Sequence, residues 1–338
     1  MRAFRWAAIA ALFAAGIIAP RAEAQDDFFK GRTITIHVGY GSGGGFDLFA
    51  RFAARHIGRH IPGEPTVVVQ NMPGAGSIRA ANFVFNAALK DGTALGLITP
   101  TVALEEALGT AGVKFKAAEF IWIGRVAPLV DLSVTWNTSK VKTIDDARLH
   151  EAAMAASGPG STSVVYLTVL NRISGTKFKV ITGYSGSTEG MLAMERGETD
   201  GAMTSWSTLT VSKADWLKQK KVNILVQYVS QRIPELPDVP TLIEIGKTPE
   251  EKQLFALLSS GAEIGRSIMA PPGLPAERVK TLRAAFEAMV KDREFVVDVE
   301  RAGEEFNPMP GDKLQAVIAA AVNIPESVKA RAREARGM

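Results

Sequence analysis

The chain has 338 residues, of which 46% are apolar, 39 are basic, 35 are acidic and none is cysteine. Without cysteine there can be no disulfide, no cysteine-ligated metal and no lipid-carrying N-terminal cysteine, so the fold rests on its core alone. The nearly balanced charge shows no clustered basic face, which argues against a nucleic-acid partner.

Residues 1–24 read as an export leader. Arg2 and Arg5 supply a basic start, and Ala7 to Ile18 is an apolar run. Ala22-Glu23-Ala24 gives a small-x-small cleavage pattern, which places the mature start at Gln25. The run is shorter than the roughly 18 apolar residues a membrane span needs. An uncleaved anchor would be the other reading, but stop-transfer flanks are missing. The 314 residues from Gln25 onward hold 36 basic and 34 acidic residues, enough chain for two lobes.

Strand and helix signals then alternate, which predicts an α/β architecture. A strand over Thr33–Val38 leads through a glycine-rich turn, Gly39–Gly45, into a helix over about 46–60. After Ile61-Pro62-Gly63 a second strand covers Thr66–Gln70, and the loop Asn71–Gly76 opens a helix over Ser77–Leu89. Asp91-Gly92 turns the chain into a strand over Ala94–Ile98. A comparable block follows: a strand at Ala152–Ala156, the loop Ser157–Ser163, a helix over about 164–173 and a strand near Lys179–Thr182. A turn at Gly183–Thr188, a helix over Glu189–Arg196 and a short strand at Gly201–Thr204 complete it.

Several strand-to-helix junctions thus carry Gly, Ser and Thr where a helix begins. Helix starts present unpaired N–H groups with partial positive charge, which suits an anion such as a carboxylate. The same residues are also ordinary turn and cap chemistry. Asp47, in the first turn of its helix, reads either as a cap that orders the glycine loop or as a group facing a ligand.

Motifs of other chemistries fail on context. Gly39-Tyr40-Gly41-Ser42-Gly43-Gly44 matches G-x-G-x-x-G, but the second strand ends in Gln70-Asn71 instead of the acid that would hold a ribose. A P-loop would need Lys-Ser or Lys-Thr where Phe46-Asp47 stands, and Gly183-Tyr184-Ser185-Gly186-Ser187 is not a G-x-S-x-G elbow. His56 and His60 are spaced i, i+4 as a metal pair would be; with Arg55 and Arg59 beside them they read as a solvated helix face. Asp145-Asp146 and Glu304-Glu305 read as helix-start or surface charge, so no acid–base constellation, cofactor or metal is expected.

Five segments in order are similar to Bug-type receptors, the solute-binding proteins of tripartite tricarboxylate transporters. They are Phe28–Ile36 running into Gly43-Gly44-Gly45-Phe46-Asp47; Asn71-Met72-Pro73-Gly74-Ala75-Gly76; Asp91-Gly92-Thr93; Arg232–Thr241; and Ala270-Pro271-Pro272-Gly273-Leu274-Pro275. The resemblance implies a two-lobed type II periplasmic binding protein fold, each lobe a mixed sheet flanked by helices. Lobe 1 would combine 25–128 with 226–338, and lobe 2 would be 129–225. It implies a monomeric, non-catalytic periplasmic receptor for a small carboxylate, working with inner-membrane transporter subunits. A sensor reporting to a membrane partner and a hydrolase on the same fold are the competing functions.

The same resemblance implies a ligand site made of Gly43, Gly44, Gly45, Phe46 and Asp47 in one lobe and Tyr184, Ser185, Gly186 and Ser187 in the other. Ser161, Thr162 and Ser163 would add hydroxyls, and Gly76, Ser77 and the segment from Asp200 to Thr204 would line the cleft. The chain departs from the family pattern with Gly39, Gly41 and Ser42 before the triple glycine, with Phe46 for a small residue, with Ser185 and Glu189 for lysine and proline, and with an added helical segment at about 248–260. Tyr40, Phe46, Tyr184 and Trp206 all fall on the expected cleft loops. The expectation drawn from them is a monocarboxylate with an aromatic or apolar body; packing of the lobe interface is the alternative use of these rings.

Overall fold

The structure, a computed structural model, describes residues 27–301 and 306–337. The leader at 1–24, the start at Gln25 and the Glu304-Glu305 pair lie outside the described residues. Among the described residues no helix is long and apolar enough to cross a membrane.

Two mixed sheets organise the chain. The first contains β1 (Thr33–Val38), β2 (Thr66–Asn71), β3 (Ala94–Leu97), β4 (Ile121–Arg125), β10 (Ser267–Ala270) and β11 (Met309–Pro310), in the order β11-β4-β10-β3-β1-β2. β1 runs parallel to β2 and β3, while β10 and β11 run antiparallel to their neighbours. The second sheet contains β5 (Asp131–Trp136), β6 (Ala152–Ala155), β7 (Phe178–Ile181), β8 (Gly201–Ser205) and β9 (Val222–Gln227), in the order β7-β6-β8-β5-β9. Here β6 is parallel to β7 and β8, and β5 is antiparallel to β8 and β9.

Helices cover both sheets. On the first lie α1 (Gly45–His56), α2 (Ile78–Asn86), α12 (Ala276–Met289), α13 (Arg293–Arg301) and α14 (Gly311–Val322). α1 buries Phe49, Ala50, Phe52 and Ala53 at helical spacing against Ile34, Ile36, Phe295 and Val299. Each large apolar side chain buried this way is worth about 1.5–3 kcal/mol. The second sheet takes α4 (Ile144–Leu149), α5 (Thr162–Val169), α6 (Ser187–Glu195), α7 (Trp206–Ser212) and α8 (Ala214–Lys218). α3 (Val102–Ala107) straddles the two, with Val102 and Ala103 in a first-lobe core and Leu104 in a second-lobe core.

The C-terminal part divides its packing between the two sheets. α9 (Leu242–Ile245), α10 (Pro249–Ser259) and α15 (Glu326–Arg336) bury Leu242, Phe255, Leu258, Ala332 and Ala335 against Tyr166, Leu170 and Tyr228 of the second lobe. The short α11 (Gly261–Ile264) then returns the chain to the first sheet. Arg336 anchors the last helix through Glu105, at 3.1 Å, and the Pro159 carbonyl, at 3.3 Å.

The lobes are joined where strands cross. Val126 N–H donates to the Arg266 carbonyl at 2.9 Å and Arg266 N–H to the Ala127 carbonyl at 2.8 Å. Tyr228 N–H donates to the Asp131 carbonyl at 2.9 Å. Gly265, at φ +50°, is required here, because a Cβ would stand 2.3 Å from the Ala127 oxygen.

The expected elements are present, with shifted ends. The helix expected from Ser77 begins at Ile78, because Gly74, Ala75, Gly76 and Ser77 all have positive φ (143°, 48°, 63° and 83°). The helix expected from 164 begins at Thr162, because Ser161 Oγ accepts from Val164 N–H at 3.3 Å and caps it. It ends in a π turn, Leu170–Ser174.

Candidate functional site

The loop after β1, the loops before α5, α6 and α7, and the crossing strands meet at one cavity between the sheets. Its volume is about 50 Å³, so the lobes stand nearly closed upon it. Hydrogen bonds close the cleft around it: Gly41 N–H donates to the Ser185 carbonyl at 3.0 Å, and the Thr101 hydroxyl donates to the Gly160 carbonyl at 2.9 Å.

Two helix starts face the cavity without a side-chain cap. Gly44 and Gly186, the cap residues of α1 and α6, offer none, and Gly44, Gly45, Gly186 and Ser187 line the wall. A Cβ on Gly44 would stand 3.2 Å from Ser187 Oγ, so the two helix starts approach each other across the cleft. α5 and α7 also begin here, but Ser161 and Ser205 cap them through Val164 and Thr208. The N–H groups that open α1 and α6 make this the positive end of both helices.

Two buried charges form the floor. Arg266, 1% exposed, has its guanidinium 4.3 Å from the Phe46 ring centre and 5.4 Å from that of Phe49. Gly45 makes room for it: a Cβ there would lie 2.4 Å from Arg266 Nη2 and 3.0 Å from Ser205 Oγ. Asp131, 8% exposed, opens β5. Burial pushes its carboxyl up to about 6, against the opposing pull of Arg266 and a hydrogen bond with Thr162. Because that value is raised above the unfolded 3.8, the folded chain holds this proton more tightly. The contribution to stability is therefore present at acid pH and lost between about pH 4 and 6, a cost of ~3 kcal/mol. Thr204 Oγ1 is buried at the wall with no hydrogen-bond partner among the described residues. Burial also raises the Tyr40 hydroxyl, against a hydrogen bond with Thr99, so it stays a neutral donor.

Of the residues singled out from the sequence, Tyr40, Gly44, Gly45, Phe46, Ser161, Thr162, Ser163, Gly186 and Ser187 line this cavity. Gly76, Ser77, Tyr184 and Ser185 line an adjoining chamber that shares Tyr40 and Ser157 with it. Gly43 and Asp47 stand behind the wall. The Asp47 carboxylate accepts from Gly43 N–H at 2.8 Å, from Arg51 Nε and Nη2 at 2.9 Å each and from Asn71 Nδ2 at 3.0 Å. Burial pushes that carboxyl up, but these bonds outweigh it and hold it below the usual range. Its oxygens are occupied in ordering the glycine loop. Asp200 accepts from Ala153 N–H at 2.7 Å and is not part of the cavity lining. Trp206 is packed against the core of Val130, Leu132 and Leu209, a structural position.

His56 and His60 are not a solvated face. His56 is 6% exposed and its Nε2 lies 2.9 Å from Asp298, while His60 Nε2 lies 3.1 Å from Asp292. Both pin α1 and the turn after it to the segment around α13. Asp146 completes a capping box with Thr143, as a helix-start charge should.

Met203 and Thr204, from the segment expected to line the cleft, and Gly41 also border it; Asp131, Arg266, Ser205 and Ser157 complete the lining and are not among the residues singled out from the sequence. The usable signal was charge isolation: Asp131 is the sole charge in Val126–Trp136, and Arg266 the sole charge in Ile264–Pro275. A lone charge opening an apolar strand is held there for a reason.

Comparison with known proteins agrees with this architecture. The model of the tripartite tricarboxylate transporter family receptor matches residues 50–328. A UPF0065 protein from the gbd 5′ region of Cupriavidus necator is 28% identical over 299 residues, covering 82% of this chain and 80% of that protein. A UPF0065 protein of Bordetella pertussis is 26% identical over 320 residues, covering 92% and 91%. Among solved structures, the periplasmic binding protein BugD has a TM-score of 0.74 at 22% identity, covering 91% of this chain and 98% of its own. MatC of Rhodopseudomonas palustris with bound malate has a TM-score of 0.70 at 22% identity, covering 91% and 100%. The R. palustris protein Rpa4515 with adipate has 0.71 at 19%, covering 91% and 98%. The chain belongs to the tripartite tricarboxylate transporter receptor family.

Proposed function

We propose that the protein is a periplasmic receptor that encloses a small carboxylate between its lobes and hands it to inner-membrane transporter subunits, with no chemical step. The observation that carries this reading is the convergence of two uncapped helix starts, one from each lobe, with a buried guanidinium at a single cavity. An anion placed there would satisfy N–H groups of both lobes at once, so its binding would favour closure. The bound malate and adipate of two structural neighbours support the ligand class. A hydrolase would need an activated nucleophile; no histidine or lysine lines the cavity wall, and its one carboxylate, Asp131, is engaged by Thr162 and restrained by Arg266.

The four aromatic rings divide. Tyr184 and Trp206 pack outside the cavity, and Phe46 lies 4.8 Å from Tyr40 while carrying Arg266. Tyr40 and Phe46 therefore hold the cation in place instead of flanking a flat ligand, which supports a compact acid over an aromatic one.

Thermal unfolding of the chain from Gln25 onward, freed of co-purified ligand, tests the reading. Across mono-, di- and tricarboxylates and aromatic acids, at least one compact acid should stabilise the protein. At 100 times its dissociation constant the gain is about 2.7 kcal/mol, a midpoint shift of several degrees. Silence from every acid would sink the reading, and a response confined to benzoate-like acids would restore the aromatic one.

A further inference from the structure

The loop 157–163 supplies Ser157, Ser161, Thr162 and Ser163 to the cavity wall. Its own bonds tie its two arms together. Ser157 N–H donates to Ser163 Oγ at 3.2 Å, and Ser161 donates to the Gly158 carbonyl through its N–H at 2.8 Å and its hydroxyl at 2.7 Å. The two carbonyls at the tip take their donors from outside the loop. Gly160 accepts from the Thr101 hydroxyl, and Pro159 accepts from Arg336 Nη2 at 3.3 Å.

Arg336 reaches this tip from the last turn of α15. The same Nη2 lies 3.1 Å from Glu105 Oε2, and Nη1 donates to Thr110 Oγ1 at 3.2 Å. The pair is buried: the Arg336 side chain is 7% exposed and that of Glu105 0%. What holds the guanidinium packs with the second lobe. Ala332 and Ala335 of α15, and Leu104 and Leu108 on either side of Glu105, share a core with Val165 and Tyr166 of α5, the helix the loop leads into. Arg172 Nη1 pins the end of α15 by donating to the Glu334 carbonyl at 3.2 Å. Thr101, by contrast, leads into Val102 of a first-lobe core. When the lobes part, Thr101 leaves with the first lobe and Arg336 stays with the loop.

A buried ion pair is a poor device for stability alone, because apolar side chains of similar volume often serve as well or better. What an apolar pair could not do here is donate to Pro159. A charged donor on a carbonyl is among the stronger hydrogen bonds, and a loop already in its bound shape spares the ligand the cost of ordering it.

We propose that Arg336 is a positioning residue of the ligand site: its guanidinium, oriented by Glu105, holds the Pro159 turn in binding-ready shape before the lobes meet. Arg336 is not part of the cavity lining, so its effect on binding is exerted through the loop. That effect rests on the carboxylate reading above; the ordering of the loop does not.

Two variants of the chain from Gln25 onward test this, by hydrogen exchange without ligand and by calorimetry with succinate, malate and adipate. Arg336→Lys keeps the charge beside Glu105 but loses the planar fork that serves several acceptors at once. Its 157–164 peptide should exchange at least about 10-fold faster than in the native protein, with the first sheet unchanged. Whichever of the three acids the native protein binds should bind at least about 10-fold more weakly. Glu105→Leu combined with Arg336→Met should show both losses while its thermal midpoint stays native or rises. A merely structural Arg336 would move the midpoint and leave loop exchange and affinity native. Native loop exchange in both variants overturns the proposal, and so does faster exchange with native affinity. If none of the acids binds the native protein, the carboxylate reading falls and the exchange result alone decides. If Arg336→Lys does not fold, the double variant decides.

Discussion

Gly76→Ala is expected to weaken ligand binding by at least about 100-fold while changing the stability of the ligand-free protein by only about 1–2 kcal/mol. Gly76 has φ +63°, inside a run of four residues with positive φ, and it faces the opposite lobe. A Cβ there would stand 2.1 Å from Ser161 N and 2.6 Å from the Gly160 carbonyl carbon. Both are backbone atoms, so no side-chain rotation relieves the clash. The left-handed strain of an alanine is paid in every state, but the clash exists only when the lobes meet. It therefore acts on closure, and about 3 kcal/mol lost from closure is about two decades of affinity. Gly158→Ala approaches the same contact from the other side, where a Cβ would lie 2.7 Å from Gly76 N, and should act alike. Calorimetry with the ligand, together with small-angle scattering, checks this: both variants should stay expanded at ligand concentrations that contract the native protein. Native affinity in Gly76→Ala would show that the lobes do not close through this contact.

Arg266→Met is expected to abolish measurable carboxylate binding, a loss of at least about 100-fold, and to do so for every acid tested. The methionine fills comparable space over Phe46, so the loss is one of charge. A charge-assisted hydrogen bond to a buried carboxylate is worth about 1.5–3 kcal/mol, and removing one partner of a buried pair costs about 3–5 kcal/mol. The change also strips Asp131 of the cation that now restrains it, so its carboxyl moves further up and the pocket becomes neutral at a higher pH. Arg266→Lys is a sharper control. It keeps the charge but loses the planar fork and its stacking on Phe46, and should bind with intermediate affinity. Titration of both variants against the native protein reads the effect. Native-like binding by Arg266→Met would place the ligand carboxylate somewhere else.

What the sequence discloses and what it hides follow a physical line. Local chemistry is partly legible: Asp146 is the helix-start charge that completes the Thr143 capping box, and Gly43 to Gly45 give the turn that admits close backbone approach, whereas Ser161 caps α5 two residues ahead of the expected start. The two charges on the cavity floor are not, because their roles depend on strands that cross far apart in sequence. Val126 and Ala127 pair with Arg266, and Tyr228 pairs with Asp131, so only the folded crossing brings the charges to one cavity. Asp47 was ambiguous for the opposite reason. A first-turn acid suits both cap and ligand contact, and only the positions of Arg51 and Asn71 show its oxygens to be occupied. Trp206 and Tyr184 fell on the right loops, yet loop membership does not say which way a ring turns.

The central claim is that one carboxylate bridges the two uncapped helix starts against Arg266. A crystal structure of the chain from Gln25 onward, grown with the acid that gives the largest thermal shift, tests it most directly. A carboxylate within hydrogen-bond distance of the Arg266 guanidinium and of N–H groups at the starts of α1 and α6 is the expected result. A ligand seated instead in the adjoining chamber of Gly76, Ser77, Tyr184 and Ser185, with Arg266 untouched, would contradict it.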